Sequence, residues 1–273
     1  MLSRPASGRR LRETIVEDLG RRIIGGALPA GAALPTEPEL AAEYGVSRTV
    51  LREAVHALVE KGLVLVRHGI GMSVQPAERW DTLDPLVLFE RVRLGRDGDL
   101  LGQVLEARRV IEVEVAGLAA ERGDASALER LETLIAEMDR SLDEPSAFTR
   151  YDARFHAELF ATARNAVLAE MMRPVLPLLT VGRHITNLRA RRPSASQEGH
   201  RAILAAVRAA DVAGAREAMR SHCLLFEQNI KRGLLEASPE LMSEIALSGD
   251  AGPQDPADSV TWSHRPGRRA VRR

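Results

Sequence analysis

The stretch from Pro35 to Val74, PTEPELAAEYGVSRTVLREAVHALVEKGLVLVRHGIGMSV, decides how this chain begins to fold. Thr36-Glu37-Pro38-Glu39 reads as a helix start. A hydroxyl stands at the cap, acids fill the first turn, and the proline sits where a helix needs no N–H. Tyr44-Gly45-Val46-Ser47 reads as the turn into a second helix, whose first amides Ser47 can cap through its side-chain oxygen. That helix places Val50, Leu51, Ala54, Val55 and Leu58 toward a core and stops at Gly62. Leu63–Val66 and Met72–Val74 are short β patterns around the tight turn His68-Gly69-Ile70-Gly71. A helix pair followed by a hairpin is a winged helix-turn-helix, which lays its second helix in the DNA major groove.

The residue types at the helix start fit that use. Arg48 and Arg52 are four apart and share one face. An arginine fork can take guanine O6 and N7 together, while Thr49 and the neighbouring amides suit phosphate oxygens. The same arginines on an ordinary surface helix would simply be solvated; the following hairpin argues for the DNA-reading alternative.

Working outward, Leu11–Ile24 carries apolar residues at 11, 15, 19, 23 and 24, a helical spacing ended by Gly25-Gly26. Residues 1–10 are expected as a flexible basic arm and 28–35 as a loop. Residues 11–76 form the DNA-binding domain, and 77–98 read as a linker with one short helix. From 99 to 236 nearly every stretch has helical period. Breaks fall at Gly123-Asp124, Asp143-Glu144-Pro145, Arg164-Asn165, Arg191-Arg192-Pro193 and Ala210-Asp211. Short loops between about six or seven helices predict an antiparallel bundle. Residues 237–273, rich in Gly, Pro, Asp and Ser with a basic end, are expected to be disordered. The fold class is therefore mainly α.

Composition narrows the function. The 273 residues carry 38 basic and 38 acidic side chains, which argues against a chain that coats nucleic acid by bulk charge but not against a local footprint. Aromatics are only 3%, which argues against stacking platforms for single strands. The single cysteine, Cys223, rules out an intramolecular disulfide and a thiolate zinc cage. No secretory leader or membrane-spanning run is read, so a cytoplasmic protein is expected.

The second constellation lies in the bundle. Asp152 and His156 share a helix face, and His200 and His222 fall on later helices. One carboxylate and three imidazoles suit Zn²⁺, Ni²⁺ or Mn²⁺, and bundle interiors are where facing helices build such sites. Spacing alone leaves open the plainer alternative of buried, hydrogen-bonded histidines.

Together the two halves resemble a GntR-type transcription regulator of the FadR subfamily, with the helical ligand-sensing domain called FCD. The resemblance runs from about Leu11 to about Gly233. LPTEPELA, GVSRTVLREAV and GLVLVRHGIGMSV carry it in the first half. LEARRVIEVEVAGLAAER, DARFHAELFATARNAVL and GHRAILAAVRAADVAGAREAMRSH carry it in the second. It implies DNA contacts from Thr36, Arg48, Thr49, Arg52, His68 and Gly69. Many members have a basic residue where this chain has Pro38, so that contact is absent here. It also implies that Asp152, His156, His200 and His222 hold a divalent metal, Zn²⁺ first. It further implies that a small organic acid, with a sugar acid favoured, binds beside the metal with help from Arg108 and Asn165. The alternative for Arg108 is a salt bridge to Glu112, four residues on. A homodimer on a palindromic double-stranded operator is implied as well. Two rival functions remain. One is a metal sensor with no organic effector. The other is a metal-dependent hydrolase, against which stand the DNA-binding half and the lack of an HExxH pattern.

Overall fold

The computed structural model of the chain describes residues 8–95, 99–190 and 193–236. It divides into two compact units, one ending at Leu100 and one starting at Leu101.

In the first unit, α1 (Gly8–Ile24) buries Ile15, Val16, Leu19, Ile23 and Ile24. It includes residues 8–10, where the sequence suggested an arm, and an Arg9–Glu13 pair lies along its first turns. Residues 1–7 of that arm lie outside the described residues. Helix α2 (Glu37–Glu43) begins at Thr36, whose backbone N–H and hydroxyl both donate to the Glu39 carboxylate at 2.8 Å. Helix α3 (Arg48–Glu60) is capped by Ser47, whose hydroxyl oxygen accepts from the Val50 N–H. Leu51, Ala54, Val55 and Leu58 are buried and Val50 is half-buried.

The wing is a three-stranded antiparallel sheet in the order β1-β3-β2, with β1 Ala33–Leu34, β2 Val64–Arg67 and β3 Gly71–Val74. Strand β1 lies inside the stretch read as a loop. Its two residues pair with Ser73 and Met72, a non-local partnership that two residues cannot announce. Gly62, at φ 71°, ends the approach from α3; a Cβ there would collide with the Arg79 carbonyl oxygen.

The segment expected as a linker contains a 3₁₀ turn (Ala77–Arg79) and α4 (Pro85–Leu94). Asp84 caps α4 by accepting from the Leu86 and Val87 amides. Val87 joins the same buried cluster as α1, α3 and the wing. Lys61 meets Asp84 at 2.6 Å, and buried Glu90 meets Arg21 and Arg93 at 3.2 and 2.6 Å. The Lys61–Asp84 and Arg21–Glu90 pairs tie α4 to the rest of the winged unit, while Arg93–Glu90 lies within the helix.

The second unit contains α5 (Leu100–Arg122), α6 (Ala125–Arg140), α7 (Pro145–Ala163) and α8 (Ala166–Met172). It continues with α9 (Leu176–Ala190), α10 (Ser194–Arg208) and α11 (Val212–Glu236). The breaks at 123–124, 143–145, 164–165 and 210–211 fall where the sequence placed them, and a further 3₁₀ turn stands at Arg173–Val175 around Pro174. Arg191 and Arg192 of the remaining break, like the tail 237–273 expected to be disordered, lie outside the described residues. Helix α10 packs on α11 and α6, α7 on α6 and α9, and α9 on α11. Asp124 and Asn165 cap α6 and α8. Phe148, Phe155, Leu131, Met138 and Ile203 are fully buried between these helices. Among the described residues no helix is long and apolar enough to cross a membrane.

Candidate functional site

Thr36, Arg48, Thr49, Arg52, His68 and Gly69 are all exposed on the winged unit. Arg48 and Thr49 open α3, the end at which a recognition helix meets base edges. Arg52 leans toward Glu37 at 3.4 Å while its side chain stays 77% exposed, a contact weak enough for a phosphate or base to displace. His68 and Gly69 form the turn between β2 and β3, and Gly69 takes φ 74°. The Tyr44 hydroxyl donates to Asp18 at 2.5 Å, which fixes the turn before α3 against α1.

The bundle gathers a second set of residues from five helices. Helix α5 supplies Arg108 and Glu112, α7 Asp152 and His156, α9 Arg183, α10 Gln197 and His200, and α11 His222. All are at most 5% exposed. One ligand atom from each of His156, His200 and His222 lies within 4.8 Å of the others. Asp152 Oδ1 is 3.4 Å from His156 Nε2 and 3.8 Å from His200 Nε2. Ligands on a tetrahedral ion with bonds of 2.0–2.1 Å stand roughly 3.3 Å apart, so small adjustments close the set.

Buried atoms without partners make the case that this set fits a metal. Nε2 of His156, Nε2 of His200, Nδ1 of His222 and Oδ1 of Asp152 are buried with no hydrogen bond, while Nδ1 of His156 stands 3.2 Å from Glu112 Oε2. Orphaned buried polar atoms are costly and call for a ligand. Asp152 Oδ1 is also 3.0 Å from Arg183 Nε, an ion pair without hydrogen-bond alignment.

Electrostatics favour the protonation states a metal needs. Burial pushes all three histidines down, His200 to about 3, so the imidazoles are neutral at pH 7. Burial opposes ionisation of Glu112 and Asp152 as well. Arg108 beside Glu112 and Arg183 beside Asp152 outweigh it and hold both carboxyls below the usual range. Burial lifts the Cys223 thiol to about 12, leaving it inert at neutral pH.

A cavity of about 80 Å³ adjoins the cluster. Asp152, Arg183 and His222 reach it, with Thr186, Asn187, Ser196, Asn229 and Phe226 around them. Arg108 and Asn165, the two residues expected to hold an effector, do not line this cavity. Arg108 donates from Nη2 to Glu112 at 3.1 Å and stacks on Phe226, while its Nε and Nη1 are buried with no hydrogen bond. Asn165 accepts from the Leu168 N–H and caps α8. Sequence reasoning missed Arg183, Asn187 and Gln197. The one available signal was a charge inside the apolar run LPLLTVGRHI.

The chain matches the description of bacterial regulatory proteins of the gntR family over residues 11–74 and that of the FCD domain over 103–224. It is 31% identical over 208 residues to the galactonate operon transcriptional repressor of Escherichia coli (strain K12), covering 76% of this chain and 90% of that protein. It is 33% identical over 234 residues to an Escherichia coli (strain K12) protein named for regulation of the L-lactate dehydrogenase operon, covering 82% and 88%. The HTH-type transcriptional regulator LutR of Bacillus subtilis (strain 168) is 31% identical over 219 residues, covering 76% and 98%. The solved structure of Lar, described as controlling the Listeria monocytogenes agr system, has a TM-score of 0.55 at 20% identity. That match covers 81% of this chain and 97% of Lar and is a likeness of fold.

Proposed function

The chain belongs to the gntR family of bacterial regulatory proteins, in the form that carries an FCD domain, and we propose that this regulator represses organic-acid catabolism and is released from its operator by a small carboxylic acid. A transcription regulator of this family is not an enzyme. The observation that carries the proposal is the cluster of unpartnered imidazole nitrogens opening on a cavity that Arg183 also reaches.

Asp152, His156, His200 and His222 would hold a divalent ion, Zn²⁺ before Ni²⁺ or Mn²⁺. The ion supplies a Lewis-acidic point that a carboxylate can ligate. Arg183 offers the acid a second positive partner, and Thr186, Asn187, Ser196 and Asn229 offer hydrogen bonds to hydroxyl groups. That lining suits a hydroxy or sugar acid. A site of about 80 Å³ is tight for six carbons, since a cavity of roughly 150 Å³ is filled by benzene; a hexonate requires α9 and α11 to give way. Arg108 serves Glu112 in this reading, and Arg183 takes the part first assigned to it.

At the DNA, two copies of the chain in the cytoplasm present Arg48, Thr49, Arg52 and the His68-Gly69 wing to matching half-sites of a palindrome. The acid shifts the population of states only by as much as it prefers one over the other.

The test is a thermal-shift panel of sugar acids, hydroxy acids and dicarboxylates on Zn²⁺-loaded protein, because a ligand of the native state raises its apparent stability. A rise in Tm with one class, matched by loss of operator binding, supports the proposal. If no acid acts and chelation alone abolishes DNA binding, the protein is a metal sensor instead.

A further inference from the structure

Gln197 on α10 is fully buried and touches three groups. Its Nε2 donates to Asp139 Oδ1 at 2.6 Å and to the Ile135 carbonyl at 3.1 Å, both on α6. Its Oε1 lies 3.2 Å from Nδ1 of His200. Asp139 is in turn paired with Arg201 at 2.6 Å and reaches solvent.

These contacts leave one arrangement of protons. A carboxylate and a carbonyl can only accept, so the side of the amide facing α6 must be its NH₂. Turned over, the amide would set its oxygen against two other oxygens with no proton among them. The oxygen therefore faces His200 and can only accept. Nδ1 of His200 must then carry the proton, which leaves a lone pair on Nε2. That Nε2 is buried without a partner and faces Asp152 and the other two imidazoles.

We propose that Gln197 is a positioning residue for the metal centre: it locks His200 in the Nδ1–H tautomer, and Asp139 at the surface of α6 sets the direction of the amide that does so. The inference rests on the metal reading above for its purpose but not for its evidence. A histidine ligand whose second nitrogen is free to swap its proton must select the binding tautomer each time; an oriented partner removes that step.

The test uses full-length protein labelled with ¹⁵N at histidine, first metal-free. Long-range ¹H–¹⁵N spectra separate the two tautomers, and the His200 signals are assigned by their loss in His200→Asn. Wild type should show Nδ1–H at His200; Nε2–H there overturns the proposal even if no variant folds. Gln197→Leu should give a tautomer mixture and weaken Zn²⁺ binding by roughly 10–100-fold. An unchanged tautomer in that variant overturns the role of the amide. Asp139→Ala removes the surface-side carboxylate and leaves the Ile135 carbonyl as the one acceptor for the amide NH₂. This variant should show a tautomer mixture at His200; a tautomer as pure as in wild type overturns the part given to Asp139. Wild-type protein that keeps the tautomer yet takes up no Zn²⁺ overturns the metal reading, and with it the purpose assigned to Gln197.

Discussion

A Cβ atom at Gly199 would stand 2.8 Å from Nδ1 of His222. The missing side chain on α10 is what lets the imidazole of α11 lie beside that of His200, with ring centroids 4.4 Å apart. Gly199→Ala should therefore push His222 aside without touching any ligand. The expected result is Zn²⁺ affinity lower by about an order of magnitude, on the scale of other changes just behind a metal ligand, with the helical circular dichroism retained. Calorimetric titration giving wild-type affinity would remove His222 from the ligand set.

Arg48→Ala should cost about 1–3 kcal/mol at the operator and relax base preference at one position of each half-site. Selection from a random duplex library, run in parallel with wild type, reads both effects. Identical recovered motifs would reassign Arg48 to the solvated surface.

Arg183→Gln removes a guanidinium that stands 3.0 Å from Asp152 and 3.8 Å from Glu112, all three nearly fully buried. Taking away one partner of a buried charge set costs about 3–5 kcal/mol. Urea unfolding of metal-free protein should show a loss of that order, and the Tm rise with the effector should shrink. A loss under about 1 kcal/mol would mean that water already enters the cluster.

Tyr44 should ionise only at unusually high pH. Burial and the hydrogen bond to Asp18 raise its hydroxyl to about 12. A folded value above the unfolded one near 10 adds stability that is whole below that value and fades as pH rises through about 12. Tyrosinate absorbance at pH 11 should fall clearly short of the two-residue amplitude and reach it in denaturant. Full amplitude in the folded protein at that pH would contradict the Tyr44–Asp18 bond.

How much of this was legible in the sequence follows the range of the interactions. Caps, turns and apolar spacing act within a few residues, so Thr36, Ser47, Gly62 and the bundle breaks could be read directly. Strand β1 could not, because Ala33 and Leu34 are a strand only through Ser73 and Met72. The four metal candidates were visible through resemblance. Arg183, Glu112 and Gln197 acquire their roles only when α5, α6, α9 and α10 face each other. The Arg108 alternative illustrates the same limit. Spacing allowed both a salt bridge and an effector contact, and the structure pairs one guanidinium nitrogen with Glu112 and leaves two buried without a hydrogen bond.

The buried cluster has a charge balance with a consequence for how its ligands must behave. Two guanidiniums, Arg108 and Arg183, are matched by two carboxylates, Glu112 and Asp152, and the three imidazoles are neutral. The sum is zero before any ion enters. A divalent cation then brings two positive charges into a place with none to offset them, and unmatched charge away from water is costly. An anion arriving beside it lowers that cost. Under the function proposed above, cation and acid should therefore tighten each other's binding by one common factor, and the cell's acid concentration would then control, in part, how firmly the protein holds a metal.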